Sequence, residues 1–432
     1  MKKKKKVLII SYYWPPAGGI GVLRILKFTK YLRHYGWEPI VHVPKNADYP
    51  YTDNNNFKDI PQNLTVLRTR IVEPFKLFKL LSGRKKTDSH NPIYGDNKKR
   101  NIVDELAIWI RGNFFIPDAR ACWIKPSVIK LSKYLKEHPV DAILSDGPPH
   151  TNTMIAQKLS EKFNIPWLAD FQDPWTQVDY YKLLKLTKWA DKRHKAMEQS
   201  VFRTAAKITI ASPTWAKDLE KIGAKNVSVI YYGYDEDDFV NLKSNNNSDN
   251  FIISHTGILG NDRNPEILFK ALSDIVSENE TFRNKLKIIF AGTVDESVRT
   301  VIKENNLEHF YQETGNISRH EALQLSNNSN ILLLPINKAD NAKGRLPGKL
   351  YEYLRIGKPI LCLGPVDSDA SEIIAKTNSG KTFEYDDYKN IKSYILGIFE
   401  NKIKFKPKNI EQYSNLTQTG LIAKYLDEIT TK

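Results

Sequence analysis

Strand-like and helix-like segments alternate along nearly the whole chain, in two series separated by a short polar stretch. This pattern restricts the fold to α/β with parallel sheets. The first series opens with Val7-Leu8-Ile9-Ile10, passes through a loop to a helix expected near 20–35, and reaches Glu38-Pro39-Ile40-Val41-His42-Val43. It resumes with Asp141-Ala142-Ile143-Leu144, a helix near 151–163, Pro166-Trp167-Leu168-Ala169, a helix near 185–204, Lys207-Ile208-Thr209-Ile210, a helix near 213–222 and Val227-Ser228-Val229-Ile230. Lys243-Ser244-Asn245-Asn246-Asn247-Ser248-Asp249-Asn250 has a linker's composition, and Phe251-Ile252-Ile253-Ser254-His255-Thr256-Gly257 starts the second series. Strands near 286–291, 308–311, 330–335, 359–363 and 380–384 alternate with helices in it. Two Rossmann-like domains are expected, 1–240 and 241–409, followed by a helical segment 410–432. Ligands of such sheets sit at the carboxyl ends of the strands.

A chain of 432 residues, 41% hydrophobic and 11% aromatic, can build two or three real cores without staples. Only Cys122 and Cys362 occur, far apart and each in an apolar context, which suits a reducing compartment and offers neither a disulfide framework nor a metal cluster. After Lys2 to Lys6 the apolar run is only Val7 to Ile10, too short for a signal core. No run approaches the roughly 20 apolar residues of a spanning helix. A cytoplasmic location is expected, peripheral on the inner face of the cell membrane for the following reason. The net charge is +16, and residues 1–205 carry 36 Lys and Arg against 19 Asp and Glu, so the whole excess is N-terminal. An anionic partner is implied for that half: nucleic acid, a membrane surface or a polyphosphorylated substrate.

Residues 68–126 fit neither series. Ile71 to Leu81 and Ile102 to Ile116 read as apolar-rich helices, with Lys85, Lys86, Lys98, Lys99 and Arg100 between them. Phe75, Phe78, Trp109, Phe114 and Phe115 flanked by cations are the materials of an interfacial helix on an anionic bilayer. The alternative is a helical excursion packed on the first domain.

The segment Arg345-Leu346-Pro347-Gly348-Lys349-Leu350-Tyr351-Glu352-Tyr353-Leu354-Arg355-Ile356-Gly357-Lys358-Pro359-Ile360 carries the chemistry. Lys349 and Glu352 are neighbours on a helix surface, and Pro347 suits a first turn. A lysine beside a helix N-terminus attracts phosphate oxygens, while a carboxylate one turn on is better placed for sugar hydroxyls. Phosphate with ribose suggests a nucleotide; the alternative is a surface ion pair of small energetic weight.

This segment resembles the signature of the retaining glycosyltransferases of the GT-B fold, in particular family 4: two glutamates with seven residues between them, then Gly-Lys-Pro into a buried strand. Glu352 matches the second glutamate, which in the family holds the donor ribose, and Gly357-Lys358-Pro359 the step; Gly344 stands where the first glutamate would be. The resemblance covers essentially the whole chain and implies two Rossmann-like domains facing each other across a cleft, with the last helix crossing back to the N-terminal one. It implies donor contacts from Arg263, Lys349, Gly348, Gly292 and Thr293, with Asn316 and Ile317 at the base. Gly18 and Gly19, in Trp14-Pro15-Pro16-Ala17-Gly18-Gly19, line the place where diphosphate and acceptor meet, the alternative for these glycines being a tight turn. Gln172 and Asp173 would position the transferred hexose, the leaving phosphate itself taking the acceptor's proton. Asp146 and His150 lie at an earlier strand end, toward the acceptor, where His150 is otherwise a structural cap.

Asp235-Glu236-Asp237 and Asp367-Ser368-Asp369 match the Asp-x-Asp of metal-dependent transferases, but as turn acids outside that context they predict no metal site and no cofactor. The expected activity is transfer of a sugar from a nucleotide-sugar donor to a lipid-linked or other glycan acceptor, in surface polysaccharide assembly, with an anionic membrane beneath the basic domain. A sugar-nucleotide epimerase on the same scaffold is the alternative. A nucleic-acid-binding protein is disfavoured, since no recognised module is present.

Overall fold

The computed structural model describes residues 4–73, 102–243 and 249–431. They form two compact units, Met1–Tyr231 with Asn415–Lys432, and Tyr232–Ser414.

The first unit is built on a parallel seven-stranded sheet in the order β3-β2-β1-β4-β5-β6-β7. The strands are β1 (Lys5–Ile10), β2 (Trp37–Pro44), β3 (Thr65–Thr69), β4 (Ala142–Gly147), β5 (Trp167–Phe171), β6 (Lys207–Ile210) and β7 (Val227–Val229). Successive side chains of a strand point to opposite faces, so the apolar run of β1 serves two cores. Leu8 and Ile10 join Ile143, Trp167 and Trp123 on one face. Val7 and Ile9 join Val41, Leu144 and Leu168 on the other, where the final helix Asn415–Thr430 contributes Ile422, Ala423 and Leu426. Burial on both faces is why these strands read as continuous apolar runs.

The second unit repeats the plan with six parallel strands in the order β10-β9-β8-β11-β12-β13. They are β8 (Phe251–Thr256), β9 (Leu286–Ala291), β10 (Tyr311–Gly315), β11 (Ile331–Pro335), β12 (Ile360–Leu363) and β13 (Gly380–Phe383). In both sheets the strand order reverses beside the first strand of the unit, at β1/β4 and at β8/β11. Such switch points open a crevice at the carboxyl edge.

Several boundaries differ from the sequence reading. The region 68–126 is not one excursion: β3 pairs with β2, and the helix Ile124–Glu137 and buried Trp123 belong to the first core. Trp123 stacks on His42 at 4.9 Å and donates through Nε1 to Thr69 O at 3.3 Å. Residues 71–73 are irregular rather than helical, and the rest of the first expected helix, with Phe75, Phe78 and the basic loop, lies outside the described residues. The second expected helix is Ile102–Phe114. The division between units falls at Tyr231/Tyr232, ahead of the polar stretch, because residues 232–243 are tied into the second unit: Glu236 pairs with Arg355, Asp238 with Arg319, and Lys243 N donates to Gln324. Cys122 is exposed rather than apolar in context; Cys362 is buried.

One fully buried ion pair fixes the first helix to the sheet. Arg24, on the helix Ile20–Tyr31, donates Nε and Nη2 to the Asp170 carboxylate at 2.6 and 2.7 Å, and Nη1 to Tyr231 O at 3.0 Å. Thr209 Oγ1 donates to the same carboxylate at 2.6 Å. Removing one member of a buried pair strands the other charge, at a cost of about 3–5 kcal/mol. Arg24→Met should therefore lower stability by that amount in urea unfolding, and Arg24→Met with Asp170→Leu should recover part of the loss; a double variant as unstable as the single one would contradict this.

Candidate functional site

In the second unit β8, β9 and β10 end side by side, and their following residues interlock. Gly257 N donates to Ala291 O at 2.6 Å, Leu259 N to Thr293 O at 2.9 Å, and Gly292 N to Gly315 O at 2.7 Å. Gly257 and Gly292 have φ of 108° and 125°, a region costly for any residue with a Cβ. A Cβ on Gly292 would also lie 2.4 Å from Gly257 O, and one on Gly257 2.8 Å from Lys349 Nζ. The lysine thus rests on bare backbone at the carboxyl end of β8.

Lys349 opens the helix Lys349–Ile356, whose start no side chain caps. Its Nζ is 3.1 Å from His255 Nε2, and His255 Nδ1 is 3.0 Å from Leu333 O. Burial, then the neighbouring Lys349, holds His255 well below the usual imidazole range, so its ring is neutral. The carbonyl on Nδ1 places the proton there, leaving Nε2 to accept from Lys349. Burial and the Arg263 guanidinium draw the Lys349 pKa down to about 7, against the pull of Glu352. Arg263 stands in the single turn Asn261–Arg263, steadied by Asp262 at 2.9 Å. The Glu352 carboxylate takes Arg319 Nη1 at 2.8 Å, and Arg319 reaches Asp238 at 3.2 Å.

Gly348 is partly exposed just ahead of this helix. Thr293 follows β9 and is exposed; exposed Asn316 and half-buried Ile317 follow β10, ahead of the capping box Ser318/Glu321. The structure therefore brings Arg263, Lys349 and Gly292 together at one strand end. His255 and Arg319 were missed by sequence reasoning. A histidine in an apolar strand reads as core, and Arg319 has no motif spacing to betray it.

In the first unit, Gly18 is backed by Tyr51, whose ring would lie 2.3 Å from a Cβ there, and Gly18 N donates to Tyr51 O at 2.9 Å. Gly19, with φ of 85° and open space beside it, starts the helix Ile20–Tyr31. Gln172 Nε2 donates to Asp146 Oδ1 at 2.6 Å and to Gly21 O at 3.1 Å. Asp146 also accepts from Ser11 Oγ at 3.0 Å. Both Asp146, expected toward the acceptor, and Gln172, expected beside the hexose, are instead buried and brace the floor of the β1/β4/β5 edge. Burial above all, reinforced by Asp170, pushes the Asp146 carboxyl up to about 7. Asp173, one residue on, is partly exposed.

His150 is not a cap. Its ring stacks on Trp175 at 4.1 Å, and burial followed by His194 holds its pKa down at about 3. The helix His150–Phe163 is instead held at its start by Asp118, which accepts from Thr151 N and Oγ1 at 2.8 and 2.9 Å. Asp118 and Arg120, whose guanidinium lies 4.8 Å over the Tyr12 ring, come from the region first read as an excursion.

The two Asp-x-Asp segments serve the chain itself. Asp235 is buried rather than a solvated turn acid, accepting from Asp237 N at 3.1 Å. Asp367 pairs with Lys343, and Ser368 caps the helix Asp369–Lys376. No cluster of three or more His, Cys, Asp or Glu suited to a metal occurs among the described residues.

No protein-family model matches the sequence, and no curated protein matches it. Solved structures do. The chain is similar to the lipopolysaccharide outer core galactosyltransferase WaaB in its apo form, at 13% identity and a TM-score of 0.56 over 98% of this chain and 99% of that one. It is similar to an S. aureus TarM variant in complex with Fondaparinux, α-GlcNAc-glycerol and UDP, at 11% identity and 0.55 over 98% and 96%. It is also similar to UDP-GlcNAc 2-epimerase from Methanocaldococcus jannaschii, at 11% and 0.52 over 98% and 99%. The fold is GT-B. At such identities the likeness establishes the fold, which glycosyltransferases and UDP-GlcNAc 2-epimerases share.

The raised Asp146 pKa has a pH signature. An acid that holds its proton more tightly when folded contributes stability below its unfolded pKa, near 4, and loses it as pH rises toward about 7. The loss is about 1.4 kcal/mol per unit of displacement. Asp146→Asn should thus gain stability relative to wild type between pH 5 and pH 8 in urea unfolding. A difference that does not change with pH would refute the assignment.

Proposed function

We propose that this chain is a retaining glycosyltransferase that moves a sugar from a nucleotide-sugar donor to a lipid-linked glycan acceptor, in assembly of a surface polysaccharide. The observation that carries this reading is the Lys349 amine beside the bare backbone of Gly257, with the Arg263 guanidinium near enough to lower its pKa. Two cations with few carboxylates to offset them, at a strand-end crevice, suit a diphosphate. Glu352 one turn along, steadied by Arg319, offers carboxylate oxygen to ribose hydroxyls, with Gly348, Thr293, Asn316 and Ile317 around the remainder of the nucleotide. Arg263 and Lys349 would offset the negative charge that builds on the leaving diphosphate. Gly19 and Asp173, at the carboxyl edge of the first sheet, are the remaining candidates to position hexose and acceptor, and no metal is assigned a part.

Thermal protection by a panel of nucleotide sugars tests the donor, since a ligand at 100 times its Kd adds about 2.7 kcal/mol. Glu352→Ala should abolish protection and most turnover in a folded protein. Arg263→Ala should weaken diphosphate donors by about tenfold and a free nucleoside hardly at all. Full activity in Glu352→Ala, or equal losses for both ligands in Arg263→Ala, would sink the assignment. Free nucleoside diphosphate that forms only when an acceptor is present supports the transferase, and conversion of the donor alone to an isomeric nucleotide sugar supports the epimerase alternative. EDTA should leave turnover intact.

The basic first domain supports a membrane-bound acceptor. Helix Ile102–Phe114 packs Gly112 and Asn113 against residues 184–187, while Leu106, Ile110 and Phe114, one turn apart, stay exposed. Trp109 and Phe115 are partly covered, so the insertion stripe passes to those three. No helix among the described residues is long and apolar enough to cross a membrane. Cations near an anionic surface contribute about 1 kcal/mol each. Flotation on anionic liposomes should show binding at low salt that weakens with salt, and changing the three residues to serine should remove the salt-resistant remainder. A folded triple variant that floats as wild type would refute the interfacial role.

A further inference from the structure

The contact beneath Lys349 goes further than a cation site. A carboxylate beside a lysine keeps it charged; here the group in contact with Nζ is a neutral imidazole at 3.1 Å. His255 is 1% exposed and is fixed from behind by the Leu333 carbonyl. Its ring cannot turn without breaking that bond, so Nε2 points one way.

The charged groups around the amine are few. Arg263 approaches from the loop after β8, with its own charge offset by Asp262. Glu352 lies on the lysine's helix but is engaged by Arg319. Tyr353, also on that helix, turns its hydroxyl to Thr256 at 3.4 Å, and its pKa is raised, chiefly by burial, so it brings no charge. The nearby carboxylates are engaged by the two arginines, so the amine is left against a neutral imidazole, and burial favours its uncharged form near neutral pH. An incoming diphosphate reverses the balance.

We propose that His255 is the positioning residue that aims Lys349 at the donor's diphosphate, and that filling the site draws a proton from solvent onto the Lys349 amine. The step balances as –NH₂ plus H⁺ giving –NH₃⁺, with no other group changed. It makes donor binding tighter as pH falls through the neutral range, and release of the nucleoside diphosphate easier as pH rises. Gly257 leaves room for the amine, since a Cβ there would lie 2.8 Å from Nζ and push it from its place. This inference rests on the proposed function, and the test below separates the two.

The probe is inorganic diphosphate, which needs no knowledge of base or sugar, titrated calorimetrically in two buffers of different ionisation enthalpy. Lys349→Arg keeps a cation that stays charged at every pH used, so the ligand's own titration cancels in the comparison. Near pH 8 wild type should take up about half to one proton more than Lys349→Arg, and its affinity should fall by up to about tenfold per pH unit above 7 while that of Lys349→Arg falls less steeply. At pH 6.5 His255→Gln, which keeps an acceptor, should stay within about threefold of wild type, and His255→Leu should bind about tenfold more weakly. Should His255→Leu fail to fold, the Lys349→Arg comparison decides. Equal proton uptake by wild type and Lys349→Arg, or no diphosphate binding by wild type at millimolar concentration, overturns the inference. Protection by a nucleotide sugar alongside equal proton uptake would remove this coupling and leave the transferase reading standing. Absence of protection by every nucleotide sugar would remove that reading.

Discussion

The second unit is organised by a contact that only missing atoms permit. Gly292 backs onto Gly257, and the Lys349 amine lies 2.8 Å from the place a Gly257 Cβ would take. Because both glycines sit at positive φ just past parallel strands, the backbone turns there without side chains to fill the crevice. The amine then meets main chain and one imidazole rather than a carboxylate. The depressed lysine pKa, the exposure of the helix start and the proximity of Arg263 all follow from that approach. Adding a methyl group at Gly292 would press on the Gly257 backbone, which cannot yield as a flexible side chain does, whereas one at Gly257 would push the Lys349 amine aside.

The first unit solves a different problem. Its crevice floor is polar and buried: Arg24, Asp170, Asp146 and Gln172 hydrogen-bond with one another, Thr209 and Ser11. Buried charges are retained at a desolvation cost that packing alone would avoid. What they supply here is a fixed relation between the first helix and the ends of β4, β5 and β6. Gly19 opens that helix and Asp173 follows β5, so the residues left partly exposed above the floor are held by those beneath it.

Periodicity made the two sheets legible, because strands buried on both faces write themselves as unbroken apolar runs. It failed for β3, an edge strand whose Thr65 and Arg68 face solvent, and for the helix Ile124–Glu137, whose lysines dilute the apolar stripe. The Gly-Lys-Pro step and Glu352 pointed to the helix Lys349–Ile356, whose first residue the structure places at the end of β8. They could not show that Glu352 answers to Arg319, nor that His255 sits under Lys349, since those partners are brought in by sheet order rather than by spacing. Gln172, Asp146 and His150 stood out as polar residues at strand ends, and composition there says nothing about depth. Depth is decided by what packs over them, which for His150 is the flat face of Trp175.

Depth also separates two kinds of titrating group in this chain. Asp146 and Lys349 are both pushed toward about 7, one upward and one downward, and in both burial is the first cause. Asp146 has no route to a ligand, so its proton is a matter of folding and shows itself in stability. Lys349 lies at the end of a strand beside an uncapped helix start, so an arriving anion would draw a proton onto its amine. The same physical penalty therefore braces one domain and makes the other responsive. What distinguishes them is whether the group faces a neighbour already in place, as Asp146 faces Gln172, or the space in front of a helix that no side chain caps.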